Sequence, residues 1–404
     1  MFIRQVFLLW LLFPAVVHAF YQWHDGNSSL ELTGFGRALT VAANNPNDEL
    51  LFSDDKVLTG GVIGRLMLDA QLSSFSTEVH IAQSIIDTQL RTGGSRFLAR
   101  SDVERSDALH WRYANEHADL FIDRFNVQYS ADTLNIKFGR QPINLASTFY
   151  FSPNDFFSPF AAQTFFRTYK SGVDAARLDW QWGELSQLSV MAILEYQTDF
   201  EQSTAWSTKP DWSETSYLAR SSTLLDTFEI AVLLAKVHSD DIIGFDFQGE
   251  LFEWLGVRGE GHLRFPDEVS EDNDVKISLS LEHRWENTLT LRVEQFYQRS
   301  GADNEQDYAT ELSDSTNLYL AKNYTALGAS YEITPLLLGD AVWLFNLNDS
   351  SSLLALYSNY SLSDESELSI GLNIPIGTQP GNGVLNSEFG SYPKSFTMEY
   401  RLYF

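Results

Sequence analysis

Charged side chains recur at every second position over long stretches of this chain, and they are the residues best placed to do chemistry. Arg258, Glu260, His262 and Arg264 alternate with Val257, Gly259, Gly261 and Leu263. Lys276, Ser278, Ser280, Glu282 and Arg284 alternate with Val275, Ile277, Leu279 and Leu281. Arg65, Asp69, Arg124, Arg292 and Glu294 fall in the same polar phase of their own segments. Successive side chains of a strand point to opposite faces, so each segment has an ionic face and an apolar face. An ionic face this long cannot fill a dry core. It is expected where the face lines water, and there its chemistry is to attract, order and screen ions and polar solutes.

Other chemistry finds little support. The mature histidines (His24, His80, His110, His117, His238, His262, His283) show no His-x-x-x-His or related ligand spacing, and no Gly-x-Ser-x-Gly motif is present. His262 reads as a wall residue beside Arg258 and Glu260. We therefore expect no catalytic residues, no metal and no cofactor. Cysteine is absent, which excludes disulfides, thiolate metal sites and c-type haem attachment. A formal charge of −27, from 27 Lys and Arg against 54 Asp and Glu, repels phosphate backbones, so nucleic acid is not an expected partner. The acidic runs at 267–274 and 303–314 lack an EF-hand order and read as solvated loops.

One segment concentrates both charge and aromaticity. Between Gly139 and Lys170 lie seven Phe, two Tyr and three Pro, with Arg140, Arg167, Lys170 and then Arg177 near Asp155, Asp174 and Asp179. A connection this aromatic should fold onto a surface instead of standing in water. Folded inward, it would set Arg140, Asp155, Phe160, Arg167, Lys170, Asp174, Arg177 and Asp179 around a constriction, with opposed charges facing across it.

The elements that must position these residues are strands. Period-two alternation recurs at Leu66/Leu68/Ala70/Leu72, Leu134/Ile136/Phe138, Phe228/Ile230/Val232/Leu234, Leu289/Leu291/Val293 and Leu368/Ile370/Leu372/Ile374. Short turns are expected near Ser73 to Ser76, Ala131, Gly183, Ser222 to Asp226, Glu253, Asn287, Pro335 and Ser361 to Glu365. Long connections alternate with them, at 42–57, 85–117, 142–171, 197–215, 265–274, 298–317 and 377–395, with two brief ones near His238 and Asn348. Eight short turns join sixteen strands, and one further strand at each end gives 18, with 16 as the alternative. The expected fold is all-β, a single antiparallel transmembrane barrel whose first strand runs from about Leu30 to Val41. A capping box at Ser101-Asp-Val-Glu104 allows a helix within 101–119, and an irregular loop fits equally.

The termini fit this plan. Residues 1–19 combine Arg4, a twelve-residue apolar core at 6–17 broken by Pro14, and a small-residue site ending at Ala19. That is a cleavable signal peptide, too short for a spanning helix, and leaves 20–404 as one barrel domain. The ten or so residues before Leu30 are too few for a plug domain. At the other end Phe396, Met398, Tyr400, Leu402 and Phe404 form an apolar row against Thr397, Glu399, Arg401 and Tyr403. This last strand resembles that of bacterial outer-membrane β-barrel proteins, which typically ends in Phe. The resemblance implies that Tyr400, Leu402 and Phe404 act as an assembly signal for the barrel assembly machinery, in a membrane of lipid and lipopolysaccharide.

A narrower resemblance covers about 40 residues. "FGRQPINLASTFYFSPNDFFSPF" followed by "TYKSGVDAARLDW" is similar to the Gly-Arg-Gln strand, Pro-rich loop and Lys-x-Gly-Val-Asp strand of porin-like outer-membrane proteins. It implies that Arg140, Gln141, Asp155, Pro159, Phe160, Lys170 and Asp174 hold an inward loop against the wall. The implied function is a channel for passive diffusion of small hydrophilic solutes or ions, alone or as a homo-oligomer. That group also includes the barrels of porin–cytochrome electron conduits, which gives the alternative of a structural sheath around a periplasmic cytochrome partner.

Overall fold

The computed structural model describes residues 21–52, 54–86, 112–114, 118–157, 159–164, 169–196, 210–268, 271–314 and 317–404. The expected signal peptide, Arg167, and all of 101–119 except 112–114 and 118–119 lie outside the described residues.

Alternation decides the secondary structure. The strands are β1 (Ser28–Asn44), β2 (Lys56–Leu72), β3 (Phe75–Ile86), β4 (Ala118–Ser130), β5 (Leu134–Gln141) and β6 (Val173–Gly183). There follow β7 (Ser186–Tyr196), β8 (Pro210–Leu225), β9 (Phe228–Val237), β10 (Asp240–Leu251), β11 (Leu255–Phe265) and β12 (Asp274–Arg284). The last six are β13 (Thr290–Gln298), β14 (Asn323–Thr334), β15 (Leu337–Asn346), β16 (Ser352–Ser363), β17 (Ser366–Ile376) and β18 (Lys394–Tyr403). Each pairs antiparallel with its sequence neighbour, and β18 returns to β1 from Phe35↔Tyr403 to Asn44↔Lys394. The described strands thus close an 18-stranded barrel. Closure leaves no open edge along these pairs, the condition for a sheet that meets lipid.

The burial pattern is inverted relative to a water-soluble sheet. On β12, Leu279 is 50% exposed while its neighbours Ser278 and Ser280 are buried. Leu263, Leu281, Leu291 and Val293 are likewise exposed, and Glu260, Asp246 and Glu294 are buried. Apolar side chains turned outward around a closed barrel suit a lipid solvent, and the polar row points the other way. A short turn joins each of the eight expected strand pairs, although Phe75 and Ser76 already belong to β3 and Ser222 to Leu225 to β8. In the turn between β10 and β11 both Phe252 (φ 57) and Glu253 (φ 61) take the left-handed backbone that a tight hairpin demands.

Three features depart from the sequence reading. A leading strand, Tyr21–Asp25, pairs with β1 from Tyr21↔Leu32 to Asp25↔Ser28. It continues along the edge of β1 where β18 ends, so that nearly all of the 17-residue β1 is paired on both sides. Arg112–Ala114, within the stretch read as a helix or an irregular loop, is a short strand on β4. A seven-residue helix α1 (Tyr308–Asp314) lies in the connection between β13 and β14, where none was expected.

Candidate pore-lining site

The connection 142–172 between β5 and β6 is fastened to the polar face of the opposite strands by its own backbone. Glu260 on β11 accepts N–H groups from Ser147, from Thr148 at 3.2 Å and from Asn154 at 3.2 Å. Glu294 on β13 accepts those of Phe149 at 2.9 Å, Tyr150 at 3.2 Å and Phe151 at 2.6 Å, together with the Ser278 and Ser280 hydroxyls. Both carboxylates are fully buried. Each hydrogen bond contributes about 0.5–1.5 kcal/mol net, and six of them offset part of the entropy lost in ordering residues 147–154.

Side chains complete the seat. The Ser147 hydroxyl donates to Asp246 at 3.2 Å, and the Asn154 amide to the Phe245 carbonyl at 2.9 Å. The Phe149 ring lies between two guanidinium groups, with Arg258 at 4.3 Å and Arg292 at 4.7 Å from its centre. Phe151 stacks on Phe296 of β13 at 4.9 Å within a cluster that includes Tyr319, Tyr324, Leu344 and Phe389. The Tyr150 hydroxyl occupies the place of a Cβ at Gly328 on β14, so any larger residue there would have to displace that ring. On the other side Ile143, Leu145 and Phe157 pack with Met191, Ile193, Leu218, Leu233 and Ile242 of β7 to β10. Among the described residues, Phe149, Tyr150, Phe151 and Phe157 are thus all engaged in contacts with the wall.

The returning half is held by charge. Lys170 pairs with Asp155, both buried. Arg124 donates to the Lys170 carbonyl at 2.6 Å and Arg140 to the Gly172 carbonyl at 3.1 Å. Tyr169 stacks on Phe35 at 4.9 Å, with the Arg65 guanidinium 4.5 Å from its ring centre.

Lys170 and Asp155, and Arg177 and Asp179 (2.8 Å), are direct pairs instead of charges opposed across a gap. Asp174 lies opposite Arg140 in the β5–β6 register and accepts the Tyr196 hydroxyl at 2.8 Å. Phe160 is half-buried. Along the wall, Arg65 pairs with Asp123, His80 with Asp69 (3.2 Å), Arg264 with Asp240 (2.7 Å), Arg292 with Glu282 (2.5 Å) and Arg284 with Glu332 (3.2 Å). Arg284 is largely exposed at the short-turn end, away from the seat. Tyr400 and Leu402 are half-buried on β18, and Phe404 bonds Gly34 through both its N–H (2.9 Å) and its carbonyl (2.7 Å).

Several contributors escaped sequence reading. Asp123 is skipped by the register, which pairs His80 with Arg124 and Ile81 with Ile122. This bulge buries Asp123 and Arg124 together, which strict alternation forbids. Beyond the strands, Glu388 is fully buried and accepts from Tyr324, from Asn346 at 2.9 Å and from the Leu320 N–H at 3.0 Å. Burial pushes its carboxyl up to about 7, and the nearby Asp349 charge adds to the rise.

No protein-family model and no curated protein matches the sequence. Solved structures do match. The outer-membrane porin OccAB3 of Acinetobacter baumannii aligns with a TM-score of 0.59 at 11% identity, over 93% of this chain and 99% of that chain. OccK2 (OpdF) of Pseudomonas aeruginosa, solved in complex with glucuronate, gives 0.57 at 12% identity over 93% and 96%. OccAB4 of A. baumannii gives 0.56 at 7% over 93% and 98%. This chain has the porin fold. In that porin barrel the eight short turns emerge at one end and the nine longer or brief connections at the other, 142–172 among them.

Proposed function

We propose that this protein is an outer-membrane porin-type channel through which small hydrophilic solutes and ions diffuse passively. The observation that carries the reading is the seating of 147–154 on Glu260 and Glu294. An 18-stranded barrel is too wide for its strand side chains to fill, so an inserted segment must set the bore. A segment bonded to the polar face is in position to do so. In this reading the polar row lines a water-filled lumen, Lys170–Asp155 and Arg140–Gly172 hold the segment's return, and Arg258, Arg292, Arg177 and Asp179 border the narrowed passage.

The short turns then face the periplasm of a Gram-negative bacterium and the long connections face outward. Residues 1–19 direct export and are removed. Tyr400, Leu402 and Phe404 present the last strand to the assembly machinery.

The acidic excess (54 Asp and Glu against 27 Lys and Arg) raises the local cation concentration at the mouths, giving a weak cation preference that fades at high salt. Purified protein in planar bilayers under a salt gradient tests both points. We expect discrete conductance steps and a reversal potential on the cation side. The absence of steps defeats the channel, and a clear anion preference defeats the charge argument.

A further inference from the structure

Resting on that channel reading, a second site can be drawn at the elbow of the inserted segment. Residues 144–147 bridge a recess of about 190 Å³ against β6, β7, β8 and β10, room for about six water molecules. Its polar lining comes from Asn144, Ser147, Arg177, Gln187, Ser189, Arg220 and Gln248, the Ser189 hydroxyl donating to Asp179 at 2.6 Å.

The charges in this recess are already balanced. Arg177 Nε donates to the two Asp179 oxygens at 3.0 and 2.8 Å. Arg220 donates to Asp246 at 2.9 and 2.6 Å and to Glu229 at 3.3 Å. Two guanidinium groups therefore face three carboxylates, and no surplus positive charge is left for an anionic solute. What remains is a mixed set of neutral capacity. Arg177 Nη1 and Nη2, Arg220 Nη1 and Asn144 Nδ2 are donors without a partner among the described residues. Gln187 and Gln248 use their amide nitrogens on Asp179 (3.2 Å) and Glu229 (2.9 Å), which leaves both Oε1 atoms as acceptors. A hydroxyl donates once and accepts twice, so alternating donors and acceptors at fixed positions suit several hydroxyls on one ring.

We propose that this recess is a binding subsite for a neutral polyhydroxyl solute of monosaccharide size. Arg177, Arg220 and Asn144 donate to its hydroxyl oxygens, and Gln187 and Gln248 accept from its hydroxyl hydrogens. The Arg177–Asp179 and Arg220–Asp246 pairs fix the donors in place and weaken the pull on a carboxylate.

Single-channel recording with glucose and glucuronate as probes tests this. We expect glucose to interrupt the salt current in a concentration-dependent way, and glucuronate to give shorter events at equal concentration. In Gln187→Ala/Gln248→Ala, which removes two acceptors, the glucose dwell time should fall about fivefold or more. The salt current of the variant reports that its barrel has formed. A steady salt current that neither sugar interrupts overturns the subsite and leaves the channel standing, as does interruption by glucuronate alone. An unchanged glucose dwell time in the double variant also overturns it. A protein that carries no salt current overturns the channel reading and the subsite with it.

Discussion

Glu260 and Glu294 stand two strands apart, on β11 and β13, and together accept six backbone N–H groups from the eight residues 147–154. Consecutive amides of the segment converge here on carboxyl groups of the wall of the same barrel. Removal of either acid leaves three backbone donors without their acceptor, two of them buried, at about 1–3 kcal/mol for each buried one. Glu260→Ala and Glu294→Ala should each raise single-channel conductance and add open-channel noise, the double variant most of all. The glutamine replacements keep one acceptor oxygen and should change less. A double alanine variant with a wild-type current trace would refute the seat.

A second relationship closes the barrel. The Phe404 ring covers Gly34, where any Cβ would collide with it, while the two backbones exchange a pair of hydrogen bonds of 2.9 and 2.7 Å. Gly34→Leu should therefore press on both the Phe404 ring and the Arg65 carbonyl, at about 1–3 kcal/mol of overpacking. We expect a smaller folded fraction, seen as the heat-modifiable band on gels, and a similar loss in Phe404→Ala. Equal folded fractions in Gly34→Leu and wild type would show that the seam tolerates displacement of Phe404.

Glu388 links three connections at the long-connection end, through Leu320, Asn346 and Asp349. Its carboxyl titrates near 7 in the folded protein and near the ordinary 4.5 once unfolded. Between these values the unfolded chain has lost the proton and the folded chain keeps it. Stability therefore falls as pH rises from about 4.5 to about 7 and is flat beyond, by a total on the order of 3 kcal/mol. Glu388→Gln should lose this slope, at some cost in stability because its amide nitrogen cannot accept from the donors on Glu388. Thermal melts at pH 5 and pH 8 measure it, and an unaltered slope in the variant would assign the pH dependence elsewhere.

The strands were legible because a lipid-facing row and a water-facing row differ at every step, as in Val275 to Arg284. Turn positions followed for the same reason. Tyr21–Asp25 was not legible, since all five of its residues are exposed and its alternation, Tyr21 and Trp23 against Gln22 and His24, is too short to mark a strand. The Asp123 bulge breaks parity by one residue, and only the register reveals it. The aromatic segment could be recognised as one that must be covered. Its seat could not, because the donors are backbone amides and the acceptors lie more than a hundred residues away. The Arg177–Asp179 pair was visible in sequence as two nearby charges, but their bonding to each other instead of across an aperture depends on both lying on one face of β6.

Deleting residues 147–164 and recording single channels asks the central question directly. If that stretch stands in the bore and sets its width, the shortened protein will form barrels that pass a larger unitary current than the full chain. A current of unchanged size would mean that the passage is set somewhere else.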